Sequence, residues 1–176
     1  MRKTRSVAAA LAGVGLLLAG CAGGSGQQEQ QPQASNGPSP LASFDPCTVL
    51  TQEQMQKYEL RLNQVRPVDE LGDVGCKIGG EVFFLGLYKA ESDDLAYWES
   101  QRSNFAEFEK NRVGPREGIR GIANGTQGHG LCREIIEVAG GSVWVQVAYK
   151  SDKLEGSDPC GKALEIAQAI EPKLPR

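Results

Sequence analysis

Five cysteines, a single histidine and several carboxylate pairs are the side chains in this 176-residue chain that could do chemistry. His129 lies in Asn124-Gly-Thr-Gln-Gly-His-Gly130, where a flexible loop could bring an imidazole to a substrate or let it titrate. With no second histidine, and no Gly-x-Ser-x-Gly, it has no partner for nucleophilic catalysis and reads as a solvated loop residue. Asp93-Asp94, Glu107 with Glu109 and Glu134 with Glu137 are the candidate pairs for a two-acid hydrolase. On an acidic chain, however, helices and strand faces carry such residues routinely. Asp69, Glu70 and Asp73 lack the order of a calcium loop, and the glycines between 121 and 130 lack the Gly-Lys-Ser/Thr of a phosphate loop. The expectation is therefore no catalytic residue, no metal ligand and no cofactor.

Cys21 is different. Arg2, Lys3 and Arg5 precede the apolar run Val7 to Ala19, which is too short for the ~20 residues of a spanning helix. A basic segment followed by a short apolar one is a secretory signal. Leu18-Ala19-Gly20-Cys21 then has the form of a bacterial lipobox, with small residues for the peptidase cleft and a thiol to carry a diacylglyceryl group. Residues 1–20 are thus expected to be a lipoprotein signal peptide, and Cys21 the lipidated first residue of the mature protein. Two acyl chains anchor a protein stably where one does not, which predicts attachment to the outer face of the cell membrane.

Removal of the signal leaves 16 cations against 22 acids, a formal charge of −6. That balance argues against a nucleic-acid partner and against adsorption to anionic lipid, leaving the acyl chains as the anchor. Residues 21–40 hold glycines, five glutamines and three prolines and are expected to be a disordered tether. Residues 41–176 are long enough for one domain. Its four cysteines, in an exported chain without Cys-x-x-Cys, predict two disulfides.

Asp45-Pro46-Cys47 and Asp158-Pro159-Cys160 repeat one tripeptide, and in each Asp suits an N-cap and Pro the first helical turn. Cys76 and Cys132 instead open apolar, strand-like runs. Pairing like with like predicts Cys47–Cys160 between helix starts and Cys76–Cys132 between neighbouring strands.

The elements that would position these residues follow from pattern. Thr51-Gln-Glu-Gln54 is a capping box for a helix reaching Tyr58. Cys76 to Ile78 and Glu81 to Tyr88 read as strands, the second apolar on both faces, with Gly86 marking a bulge or a close backbone approach. Leu95, Trp98, Phe105 and Phe108 recur at helical spacing, which predicts a helix from Ser92 or Asp93 to Lys110. Ile119 and Ile122 anchor a short strand. Leu131 to Val138 and Val143 to Tyr149 form a hairpin around Gly140-Gly141, and a helix from Cys160 through Ile170 closes the chain. The predicted fold is α+β, a mainly antiparallel sheet with the N- and C-terminal helices packed together and two disulfides.

Taken together, the lipobox, the polar linker, Asp45-Pro46-Cys47 before Leu50-Thr51, Cys76, Cys132, Asp158-Pro159-Cys160 and Leu174-Pro175 resemble a family of exported actinobacterial lipoproteins known only as a domain of unknown function. Ile78 stands where many such relatives carry a tryptophan. The architecture is also similar to extracellular sensor domains of some receptor serine/threonine kinases. The family supplies no catalytic residues. The expected function is a non-enzymatic binding or sensor module of the envelope, recognising an envelope ligand or an exported protein. The place to look would be a cleft beside the 92–110 helix or the 113–130 loop. An envelope hydrolase using carboxylates or His129, and a structural partner of another exported protein, are the alternatives.

Overall fold

The computed structural model describes residues 39–70 and 73–176. The expected signal peptide, Cys21 and all of the tether except its last two residues lie outside them. Ser39 already belongs to the fold, its hydroxyl accepting from the Leu41 amide at 3.1 Å, and Pro40 opens a 3-10 turn.

Seven strands form one antiparallel sheet in the order β1-β2-β3-β7-β6-β5-β4. They are β1 (Leu60–Glu70), β2 (Asp73–Gly80), β3 (Phe83–Ala90), β4 (Phe105–Val113), β5 (Arg116–Ala123), β6 (Leu131–Val138) and β7 (Gly141–Tyr149). The chain lays down β1 to β3 as one meander and crosses by α2 (Leu95–Ser100) to the far edge. It then lays down β4 to β7 as a second meander, and β3 zips against β7 along eight residue pairs. The predicted hairpin is present, with Ala139-Gly140 at its tip and Gly140 at φ 81°, a conformation glycine adopts without strain.

One face, called inner here, carries the main core. Alternation puts Cys76 and Ile78 of β2, Phe83, Leu85 and Leu87 of β3, and Val143, Val145 and Val147 of β7 on it. Ala163, Ile166, Ala167 and Ile170 of α3 (Pro159–Ile170) cover it, and α1 (Gln52–Lys57) adds Met55. α1 begins at the predicted capping box: the Gln54 amide donates to Thr51 Oγ1 at 3.2 Å, and the Thr51 amide to Gln54 Oε1 at 2.9 Å. The terminal helices do sit side by side. Gln54 Nε2 donates to the Ala169 carbonyl at 3.2 Å, and Lys57 pairs with Glu165 at 2.7 Å. Buried Lys89 fixes the entry of the chain by donating to the Leu41 and Ala42 carbonyls at 2.8 and 3.0 Å.

The disulfides are not those the like-with-like argument predicts. Cys47 bonds Cys76 and Cys132 bonds Cys160, with Cα separations of 5.0 and 5.1 Å. The sheet order explains the correction. Cys76 on β2 and Cys132 on β6 have β3 and β7 between them, three inter-strand steps or ~14 Å, well beyond the ~7 Å a disulfide spans. Each strand cysteine instead meets the segment lying over its own strand. Only the second Asp-Pro-Cys starts a helix: Asp158 Oδ1 accepts from the Gly161 amide at 2.8 Å, whereas Asp45 Oδ1 closes a turn on the Cys47 amide at 2.8 Å. β-Branched Thr48 and Val49 follow Cys47, where Gly161-Lys-Ala-Leu follows Cys160.

The predicted 92–110 helix is also corrected. α2 spans only Leu95–Ser100, capped by Asp94 through a 2.8 Å bond from the Tyr97 amide, and Phe105–Val113 is the edge strand β4. Phe105 and Phe108 show helical spacing because a register shift between Phe105 and Glu107 turns both rings to one side, with centroids 5.5 Å apart.

Candidate functional site

The outer face of the sheet is covered only in part. α2 sets Leu95 and Trp98 over Trp144, Ile119 and Ile135, and Trp98 Nε1 donates to Ser142 Oγ at 2.9 Å. Beyond that cover, β1, β2, β3 and β7 expose a groove of about 470 Å³, within the size range of small-ligand clefts (~300–1,000 Å³).

Strand register sets out the groove in rows. One row runs Val68, Gly75, Tyr88, Trp144, Ile135 and Ile119. Tyr88 stacks on Trp144 at 3.8 Å between centroids and lies along the strands over two glycines. A Cβ on either Gly75 or Gly86 would come within 2.5 Å of its ring. β3 runs through Gly86 without a register shift, and the nearest atoms over it are those of the Tyr88 ring, in place of the bulge or close backbone approach expected there. The next row runs Arg66, Lys77, Gly86, Gln146 and Arg133. Arg66 and Lys77 are exposed and directly opposite each other across β1 and β2. Arg133 donates to Gln146 Oε1 at 2.9 Å and stacks its guanidinium on Trp144 at 4.6 Å. Along the third row Gly79, Phe84 and Ala148 follow one another, with Gln64 over Gly79 and Lys150 over the Phe84 ring at 5.5 Å. Phe84 is 53% exposed although its strand is an inner one. None of the described lining residues is acidic.

A family model for proteins of unknown function, DUF3558, matches residues 16–173. The chain belongs to the DUF3558 family. No curated protein and no solved structure matches it. The DUF3558 match agrees with the resemblance only as far as a domain of unknown function, and it brings no assigned site with it.

Of the DUF3558 chain's chemical candidates, none lines the groove. His129 is exposed in the turn between β5 and β6. Asp94 is engaged as the α2 cap. Glu109 pairs with Arg120 across β4 and β5. Glu134 and Glu137, three apart on β6, face opposite sides of the sheet and do not meet. Asp69 and Glu70 end β1 and Asp73 begins β2. Among the described residues there is no cluster of three or more metal-ligating side chains. No described helix is long and apolar enough to cross a membrane.

Glu134 is fully buried on the inner face, its Oε1 accepting from Asn111 Nδ2 at 2.6 Å. Burial pushes its carboxyl up to about 7, against the opposing pull of Asn111 and Arg120. The folded state therefore holds a proton that the unfolded chain releases nearer pH 4.5. Stability from this group is complete below that pH and is lost as pH rises through about 7, by about 3 kcal/mol in all. Glu134→Gln should flatten this loss. Thermal melts at pH 5 and pH 8 check it, with the variant more stable than the native chain only at the higher pH.

The groove residues Arg66, Lys77, Phe84, Tyr88 and Gln146 were not singled out from sequence. The available signal was period two: positions 75, 77 and 79, like 84, 86 and 88, alternate with the inward residues.

Proposed function

We propose that this chain is an exported lipoprotein, held at the outer face of the membrane by lipid on Cys21, and that its domain acts as a non-enzymatic binding module through the outer-face groove. The observation that carries the reading is the groove itself. The solvated face of an antiparallel sheet normally presents polar side chains, yet here Phe84 stands exposed beside glycines that keep the floor low, with cations along one row. The lipobox and polar linker support display at the surface, where such a module would meet envelope ligands.

The test is thermal stabilisation of the full chain by a soluble extract of the cell envelope. The native chain should gain several degrees, and Ala148→Phe, which fills the groove floor, should gain none. Equal stabilisation of both would place binding elsewhere. Turnover of a glycan, ester or peptide without a stable complex would favour the hydrolase reading.

A further inference from the structure

We infer that Asn111 and Glu134 form a proton-dependent latch, an acid–amide pair that ties the edge strand β4 to β6 across Gly118 and parts when the proton leaves. The latch is independent of the groove, which lies on the other face of the sheet. Its basis is the strand register. Asn111 on β4 is opposite Gly118 on β5, and Arg120 on β5 is opposite Glu134 on β6. β4 and β6 are not neighbours, so a β4 side chain reaches β6 only by passing over β5. Gly118 opens that passage. A Cβ there would lie 2.8 Å from Asn111 Oδ1, so any other residue would push the amide aside. With the way clear, Asn111 Nδ2 donates to Glu134 Oε1 at 2.6 Å.

That bond uses half of each planar group. Asn111 Oδ1 and Glu134 Oε2 are both buried, and neither receives a hydrogen bond from any described residue. Two buried acceptors without a donor are costly to keep. A single proton on Oε2, donated to Oδ1, satisfies both atoms at once. Burial favours the neutral acid, so that proton is present below about pH 7. Acid and amide then hold each other by two bonds, and β4 is fastened to β6 over the strand between them.

Loss of the proton to water reverses this. Glu134 becomes a fully buried carboxylate beside an amide oxygen that it can no longer satisfy. The charges that act on it are Arg120, which attracts, and Glu109, which repels. β7 places Val145 opposite it, and α3 covers this face with Ala163, Ile166 and Ala167. The charged Lys162 and Glu165 of α3 pair with each other and with Lys57. Arg120 is therefore the partner within reach. In the protonated state it pairs with Glu109 on β4, and by register it stands directly across from both carboxyl groups. An ionised Glu134 draws Arg120 toward β6 and away from Glu109, because a buried charge must be paired. β4 then loses its amide pair and its ion pair together. With no described strand beyond it, this edge opens before the rest of the sheet.

Amide hydrogen exchange and carbon NMR of the full chain test the latch. Between pH 5 and pH 8 the β4 amides bonded to β5 should lose about tenfold in protection, after correction for intrinsic rates, while those between β3 and β7 keep theirs. Glu134→Gln offers Asn111 the same donor and acceptor as the acid, so it should keep β4 protected at both pH values. The Glu134 carboxyl carbon and the Asn111 side-chain carbonyl carbon should titrate together. Arg120→Gln should move that titration to higher pH and Glu109→Gln to lower pH, as loss of an attracting and of a repelling charge requires. Protection lost evenly over all strands, an equal loss in Glu134→Gln, or an Asn111 signal that ignores the titration would each overturn the inference. Should Glu134→Gln not fold, the two carbon signals of the native chain decide it: a shared midpoint supports the latch, and separate behaviour overturns it.

Discussion

Cys132→Ala combined with Cys160→Ala is expected to lower the stability of the domain by about 3–4 kcal/mol. The bridge closes a loop of 28 residues, and the loop-entropy relation gives that magnitude for its effect on the unfolded chain. Against a usual domain stability of ~5–15 kcal/mol, this is the difference between a folded population and a marginal one. The other bridge spans 29 residues and predicts a loss of the same size for Cys47→Ala with Cys76→Ala. Urea unfolding measures both. Each double variant should also show a steeper dependence on urea, because the freed unfolded chain exposes more surface. Two short loops act independently, whereas the predicted Cys47–Cys160 link would have closed one long loop worth ~4–5 kcal/mol by itself. Non-reducing peptide maps separate the two patterns: fragments should join 47 to 76 and 132 to 160. A fragment joining 47 to 160 would contradict the fold.

Cys21→Ser is expected to abolish lipid attachment. Serine offers no thiol for the diacylglyceryl transfer, and the membrane binding attributed here to two acyl chains has no substitute on an acidic mature chain. In cells labelled with radioactive palmitate, the native chain should carry label and the variant should fall to background. Intact mass of the native protein should correspond to a start at Cys21 plus lipid. A mass beginning at Met1 with no adduct would remove the surface-display part of the account, while leaving the groove where it is.

The architecture was legible where local chemistry speaks for itself. The Thr51–Gln54 capping box, the Gly140 hairpin and the apolar face of α3 each carry a signal contained within a few residues. Two misreadings came from tertiary effects. The strand shift after Phe105 imitates a helical repeat, and nothing local to Phe105 or Phe108 distinguishes the two. The cysteine pairing depends on which strands are neighbours, and β3 joining β7 is a contact between residues some sixty positions apart. β1 was missed because it is an edge strand: Arg61, Leu62, Asn63, Arg66 and Pro67 are exposed, so its alternation is weak, and an edge tolerates a proline that an inner strand would not. The groove was hidden for a related reason. Its members lie on four strands, and their shared face exists only once the register is known.

Solvent labelling of Phe84 tests the central claim most directly. Its ring is half-exposed in the groove, and Tyr97 on α2 is 42% exposed outside it. Hydroxyl-radical oxidation of the full chain, with and without envelope extract, reads both rings in one experiment. The groove account predicts that extract protects Phe84 severalfold and leaves Tyr97 unchanged. Equal oxidation of Phe84 in both samples, under extract conditions that stabilise the chain, would contradict it.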